Sequence, residues 1–148
     1  QYAMALYPHL TEQTFIQVGD FIGVGIKQCA KRGIVRAVIV GMMGKLSKMA
    51  NGKMQTHAAG SDVDMAFLAA LATELSASDE LVAAIRQANT ARHVLELCRE
   101  AGLVGITSLI CKKVVEQCQH HAGGTLAVET CLVDFGGALL GRYPEVQT

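Results

Sequence analysis

The chain has 148 residues, of which 13 are basic, 13 are acidic and 51% are hydrophobic, so its formal net charge is zero. This composition is too apolar for a disordered chain, and it gives no support to a strongly basic nucleic-acid binder. No apolar run reaches the roughly 18 residues of a membrane-spanning helix, and the start at Gln1 lacks the basic region of a signal peptide. We therefore expect one globular domain with neither a membrane nor a nucleic acid as partner.

The neutral total hides an uneven distribution of charge. Between Phe21 and Ser61 there is no acidic residue, whereas seven basic residues give these 41 residues a charge of +7. Such a stretch indicates a face that meets an anion, although a solvated face with a chance excess of basic residues has the same pattern.

The five cysteines form no pair with metal-ligand spacing, and their number is odd. This usage predicts reduced, mostly buried cysteines in a cytoplasmic protein without a bound metal. His120 and His121 follow Cys118, but they precede a glycine pair. They are therefore predicted in the last turn of a helix rather than at a metal site.

In chain order, the first half predicts a short strand at 15–18 and a helix from Asp20 to Lys31 that ends before Gly33. A β-branched run over 35–40 predicts a buried parallel strand. A second helix is predicted from Gly44 to about residue 51.

The second half predicts four helices whose N-caps are Asp62, Ser78, Thr90 and Thr107. A strand over 125–135, a turn at 136–137 and a return strand over 138–143 predict a C-terminal hairpin. Together these elements predict an α/β fold over 1–148: a three-layer Rossmann-like domain with helices packed on a small, mainly parallel sheet.

The segment from Val38 to Gly52 is the most informative for chemistry. A strand, then Gly41 and Gly44, then a helix with Lys45 and Lys48 on one face predict an anion site. It is not a phosphate-binding Walker loop, because Ile39 and Leu46 stand where that pattern needs glycine and a hydroxyl residue. A strand–glycine–helix turn that only reverses the chain has the same outline.

Polar residues flank this segment on both sides. Thr56 and His57 follow it. His57 is suited to act as a base, a hydrogen-bond donor or a cation near neutral pH; the alternative is an ordinary loop histidine with a local hydrogen bond. Asp20 precedes the first helix, where it is suited either to a ligand hydroxyl or to an N-cap.

The chain contains an ordered set of motifs. These are, in chain order, G-D-F-I-G at 19–23, V-G-x-x-G-K-L-x-K-x-A-x-G at 40–52, T-H at 56–57 and Asp62. In this set the chain resembles the C-terminal part of the CbiD family. The resemblance is clear from about residue 2 to residue 62 and looser beyond. The chain departs from the family pattern at Ala58, Asp64 and Ala66, and Met42-Met43 replaces a pair that contains histidine.

The resemblance implies an S-adenosylmethionine-dependent methyltransferase of anaerobic cobalamin biosynthesis, which methylates carbon 1 of cobalt-precorrin-5B. Members are more than twice as long, which implies a missing N-terminal domain. The site residues carried over are Asp20, Gly41, Gly44, Lys45, Lys48, Thr56, His57 and Asp62; the catalytic residues and the proton acceptor stay open. The lysines suit the carboxylates of the tetrapyrrole, and Met42, Met43 or Met54 would suit its apolar ring.

Two other classes of function are compatible with the residues alone. One is a non-enzymatic module that binds an anion or has a regulatory role. The other is an interaction domain that forms a homo-oligomer through the helices after Asp62.

Overall fold

The computed structural model describes residues 1–56 and 62–145. The helices are α1 (Tyr2–Leu6), α2 (Ile22–Lys31), α3 (Met43–Ala50), α4 (Met65–Glu74), α5 (Asp79–Gln87), α6 (Ala91–Glu100) and α7 (Ile106–Ala122), with a 3-10 turn at Glu12–Thr14. The strands are β1 (Arg36–Gly41), β2 (Ala127–Val133) and β3 (Leu139–Tyr143). The α/β class is confirmed.

The described part of the chain forms one mixed sheet in the order β1-β2-β3. β1 is parallel to β2, with Arg36 opposite Ala127 and Gly41 opposite Leu132. β2 and β3 are antiparallel, as the predicted hairpin requires. The sheet is therefore half parallel rather than mainly parallel, because the hairpin contributes one of its two strand pairs.

Helix α7 packs against one face of this sheet and forms the centre of the core. Ile110, Cys111, Val114 and Cys118 on this helix are fully buried, and they pack with Val128 and Leu132 of the sheet. Gly141 of β3 allows the close approach, since a Cβ there would lie 2.7 Å from Thr107 Cβ. A side chain of this size contributes about 1.5–3 kcal/mol when it is fully buried, so this layer dominates the stability of the domain.

Two of the four predicted N-caps are confirmed and two are wrong. Ser78 Oγ accepts from Leu81 N and Thr90 Oγ1 accepts from His93 N, as predicted for α5 and α6. Helix α4 is capped by Asp64 rather than by Asp62, because Asp64 lies next to the first helical residue and accepts from two backbone amides.

Thr107 lies inside α7, whose N-cap is Gly105, and its hydroxyl donates to the carbonyl of Leu140. Residues 15–18 are also not a strand, since no described strand pairs with them. Both differences depend on parts of the chain that are distant in sequence. The Thr107 hydroxyl bonds to β3, and residues 15–18 have no neighbouring strand to pair with in the described part of the chain.

All five cysteines are free thiols, and Cys98, Cys111, Cys118 and Cys131 are buried. Burial raises the pKa of Cys111 and Cys118 to about 12, so both stay protonated. The prediction of mostly buried cysteines is confirmed.

Within the described ranges, no helix is both long and apolar enough to span a membrane. No three His, Cys, Asp or Glu side chains in these ranges are grouped closely enough to bind a metal ion.

Candidate functional site

The site is built where β1 ends and α3 begins. Met42 occupies the cap position of α3 and gives its first turn no side-chain hydrogen bond. Gly41 packs closely on Leu46, since a Cβ at residue 41 would lie 3.1 Å from a methyl group of that side chain. At Gly44 no atom of the described residues, apart from its chain neighbours and the backbone of its own helix, lies within 4 Å of the position of an added Cβ, so these residues leave the space beside the first turn open.

Lys45 and Lys48 reach from α3 to two separate loops of the chain. The Lys45 ammonium donates to the carbonyl oxygen of Gly19 at 2.9 Å and lies 3.1 Å from Asp20 Oδ1. The Lys48 ammonium donates to the carbonyl oxygen of Thr56 at 3.1 Å. Both lysines therefore contact the chain itself, and each still has further N–H groups to donate.

Asp20 and Thr56 connect these two loops. Thr56 Oγ1 donates to Asp20 Oδ1 at 3.0 Å, and Thr56 N donates to the carbonyl oxygen of Asp20 at 3.1 Å. The cap position of α2 is Phe21, so the alternative reading of Asp20 as an N-cap is wrong. We refer to Asp20, Lys45, Lys48 and Thr56 as the Asp20 cluster.

The remaining predicted site residues have different positions. Asp62 is exposed, and its carbonyl oxygen accepts from Lys53 Nζ at 2.8 Å. This contact is with a residue outside the Asp20 cluster. His57 lies outside the described residues. Gly41 and Gly44 lie at the start of α3, next to the cluster.

The apolar surroundings of the cluster differ from those predicted. Of the three candidate methionines, Met42 is 43% exposed, Met43 is buried and Met54 packs against the core. Phe21, which directly follows Asp20, is 60% exposed. The apolar surface next to the cluster therefore includes Phe21, which the sequence analysis missed because its position resembles an ordinary core residue of α2.

His121 is a second residue that the sequence analysis did not place at the site. It lies in the last turn of α7, as predicted. A Cβ added at Gly23 would lie 2.8 Å from its Nε2 atom and 3.0 Å from Met54 Cβ, so the imidazole covers the first turn of α2. The sequence holds no signal for this contact, because residues 23 and 121 meet only through the packing of α2 on α7.

A second polar group lies on the sheet face opposite α7. Glu129 Oε1 accepts from Tyr7 Oη at 2.6 Å and from Arg142 Nε at 2.8 Å, and Glu129 Oε2 accepts from Arg36 Nη2 at 2.7 Å. Burial alone would raise the pKa of Glu129, but the hydrogen bonds from Tyr7, Arg36 and Arg142 outweigh it and lower the pKa below its ordinary value. Glu129 is thus a buried, ionised structural residue.

A comparison with protein families shows which family the chain belongs to. The family model "CbiD, C-terminal domain" matches residues 55–144. The chain belongs to the CbiD family. The CbiD match begins after β1 and α3, yet β1 pairs with β2 along its whole length, so the folded unit extends beyond the matched residues.

Three curated relatives of this chain carry the same name, cobalt-precorrin-5B C(1)-methyltransferase. The protein from Leptospira interrogans serovar copenhageni is 49% identical over 142 residues, which are 96% of this chain and 39% of that protein. The protein from Leptospira borgpetersenii (strain JB197) is 46% identical over 143 residues, or 97% of this chain and 39% of that protein. The protein from Geobacillus sp. (strain WCH70) is 46% identical over 142 residues, which are 96% of this chain and 39% of that protein.

The chain thus spans about two fifths of the length of these curated relatives. The matched stretch includes the motif at 38–52, because the residues left out are too few to reach it. No solved structure matches the chain.

Proposed function

We propose that this chain is the C-terminal part of an enzyme that transfers a methyl group from S-adenosylmethionine to carbon 1 of cobalt-precorrin-5B in anaerobic cobalamin biosynthesis. The observation that carries the proposal is the identity of 46–49% to proteins of that name over nearly the whole chain. The remaining three fifths of such a protein would include the N-terminal domain and would complete the active site. This identity favours an enzyme over a non-enzymatic anion-binding module.

Methyl transfer from a sulfonium to a carbon nucleophile needs alignment of the two groups and exclusion of water, and it needs no covalent intermediate on the protein. The Asp20 cluster is suited to alignment, because two hydrogen bonds and one ion pair join α3 to two loops, and two further hydrogen bonds join those loops to each other. In this proposal its residues bind and orient ligands and do not react with them.

We assign the methyl donor to the open space beside Gly44 and Lys45. The uncapped first turn of α3 and the half-exposed Lys45 would hold the donor's carboxylate, since a helix start and a cation both attract an anion. The half-exposed Asp20 carboxylate would accept from a ribose hydroxyl. His57 follows Thr56 in the chain and is proposed as a further contact, as is Asp62.

Several predictions on the complete molecule stay predictions. These are the three-layer Rossmann-like arrangement, a homo-oligomer, the cytoplasmic location and the absence of a resident metal. An experimental structure of the complete polypeptide would test the first two.

The test of the function is an assay of the complete polypeptide with S-adenosylmethionine and cobalt-precorrin-5B. We expect the tetrapyrrole to gain one methyl group by mass spectrometry, and magnetic resonance with a labelled donor should place that group on carbon 1. Omission of the donor is the control. Stoichiometric binding of both ligands without methyl transfer would contradict the proposed enzyme and support a binding module.

A further inference from the structure

The +7 stretch between Phe21 and Ser61 divides into two groups in the structure. Four of its cations are engaged by the chain: Arg36 by Glu129, Lys45 by Asp20 and Gly19, Lys48 by Thr56, and Lys53 by Asp62. The other three, Lys27, Lys31 and Arg32, are exposed, and their side chains have no hydrogen bond or ion pair to any residue in the described ranges. These three are the cations of the stretch whose charged groups are not shared with other residues in the described part of the chain.

The three free cations lie along one side of α2. Val24, Lys27, Gln28 and Lys31 follow the spacing i, i+3, i+4 and i+7, which places them on one helix face. All four are exposed, whereas Ile22 and Ile26 on the other side are buried. We call these four residues, together with Phe21 before the helix and Arg32 after it, the α2 outer stripe.

The α2 outer stripe is apolar at one end and basic at the other. Phe21 and Val24 are each 60% exposed at the N-terminal end, and Lys31 lies about 10 Å further along the helix axis. Two exposed apolar side chains followed by three cations are complementary to an amphipathic anion of similar length, whose apolar body and acidic rim are separated by that distance.

The stripe is also continuous with the Asp20 cluster. Phe21 directly follows Asp20, which the side chains of Lys45 and Thr56 contact. A ligand whose apolar body lies on Phe21 would therefore reach the open space beside Gly44 with one edge and the lysines of α2 with another.

We propose that the α2 outer stripe binds the acceptor of the reaction, a cobalt tetrapyrrole with carboxylates around its rim. The apolar ring lies against Phe21 and Val24. The carboxylates pair with Lys27, Lys31 and Arg32. This inference rests on the proposed function for the identity of the ligand, and it assigns the acceptor to a surface that the family motif does not include.

The variant that tests the stripe is the double charge reversal Lys27→Glu/Lys31→Glu. Both side chains are exposed and unbonded in the described part of the molecule, so we expect an unchanged thermal midpoint. The matched control is Arg86→Glu/Lys112→Glu, which removes the same charge from exposed positions on α5 and α7.

The first measurement is the binding of cobyrinic acid, a cobalt corrinoid with free carboxylates, to the complete polypeptide by absorbance titration. We expect the reversal to weaken binding about tenfold and the control to leave it unchanged. Binding to the unaltered protein should weaken between about 50 and 300 mM salt, and the neutral methyl ester should bind less tightly than the acid.

Equal affinity of the reversed and unaltered proteins, or equal affinity for acid and ester, would overturn the inference. So would a lowered thermal midpoint with unchanged corrinoid affinity, because the stripe would then be covered by another part of the polypeptide.

The second measurement is the KM for cobalt-precorrin-5B, which we expect the reversal to raise about tenfold with little change in kcat. An active enzyme whose KM the reversal leaves unchanged overturns the stripe alone. An inactive unaltered protein whose corrinoid affinity falls on reversal overturns the proposed function and supports the stripe.

Discussion

At the scale of single residues, the sequence identified the members of the Asp20 cluster but not their partners. Lys45 and Lys48 stand out because they follow a glycine turn at helical spacing. Their contacts to Gly19 and Thr56 depend on how loops far apart in the chain meet, and no local pattern encodes that. The prediction that these lysines bind a ligand therefore stays a prediction, now with defined protein partners that a ligand would have to share.

Thr130 of β2 has an unsatisfied hydroxyl group among the described residues. Its side chain is fully buried, and its hydroxyl has no hydrogen-bond partner in the described part of the chain. Replacement by valine keeps the shape and removes the unpaired hydroxyl. We expect Thr130→Val to stabilise the protein by about 1 kcal/mol in chemical denaturation.

Thr107 is the matched control for that substitution. It is also buried, but its hydroxyl donates to the carbonyl oxygen of Leu140 at 2.7 Å. Thr107→Val should therefore destabilise the protein by about 1 kcal/mol. A destabilisation of similar size in both variants would show that Thr130 has a partner after all.

At the scale of elements, most local signals were predictive, although the N-cap of α4 is Asp64 rather than the predicted Asp62. The caps at Ser78 and Thr90 contact amides three residues ahead, so the sequence contains the whole interaction. Helix α1 is too short for a periodic pattern, and it is positioned by contacts such as that of the Tyr2 hydroxyl with the carbonyl of Phe135. Helix α1 was therefore not predictable from the sequence.

Tyr7, which follows α1, contacts the sheet through a hydrogen bond to Glu129, and this contact depends on the charge of Glu129. Because the hydrogen bonds from Tyr7 and the two arginines lower its pKa, the ionised form stabilises the fold. That stabilisation is fully present above its ordinary value of 4.5 and is lost as the pH falls through the lowered value.

We expect the free energy of unfolding to decrease with falling pH below about pH 4.5, and Glu129→Gln should make this decrease shallower. Glu80→Gln, at an exposed position of α5, is the control that should leave the slope unchanged. If the free energy of unfolding falls equally steeply with pH in Glu129→Gln and in the unaltered protein, the charge of Glu129 does not stabilise the contact with Tyr7. The measurement is chemical denaturation across this pH range.

At the scale of the whole molecule, the α/β class and the hairpin were predictable, whereas the arrangement of the sheet was not. The β-branched run of β1 predicts a buried strand, but its parallel partner β2 lies beyond five helices and is set by packing on α7. The folded unit also exceeds the family-model match, since β1 and α3 lie before residue 55. The motif that carries the proposed site therefore belongs to the same compact body as the matched residues.

We propose that the Asp20 cluster aligns the reactants of methyl transfer. The measurement that tests this role is kcat/KM of the complete polypeptide carrying Asp20→Asn, which removes the charge that Lys45 contacts and keeps the shape of the side chain. Asp79→Asn, at an exposed position in the first turn of α5, is the control. We predict a loss of about 10-fold to 100-fold for Asp20→Asn and none for the control. A kcat/KM for Asp20→Asn within about twofold of the unaltered enzyme would contradict the account.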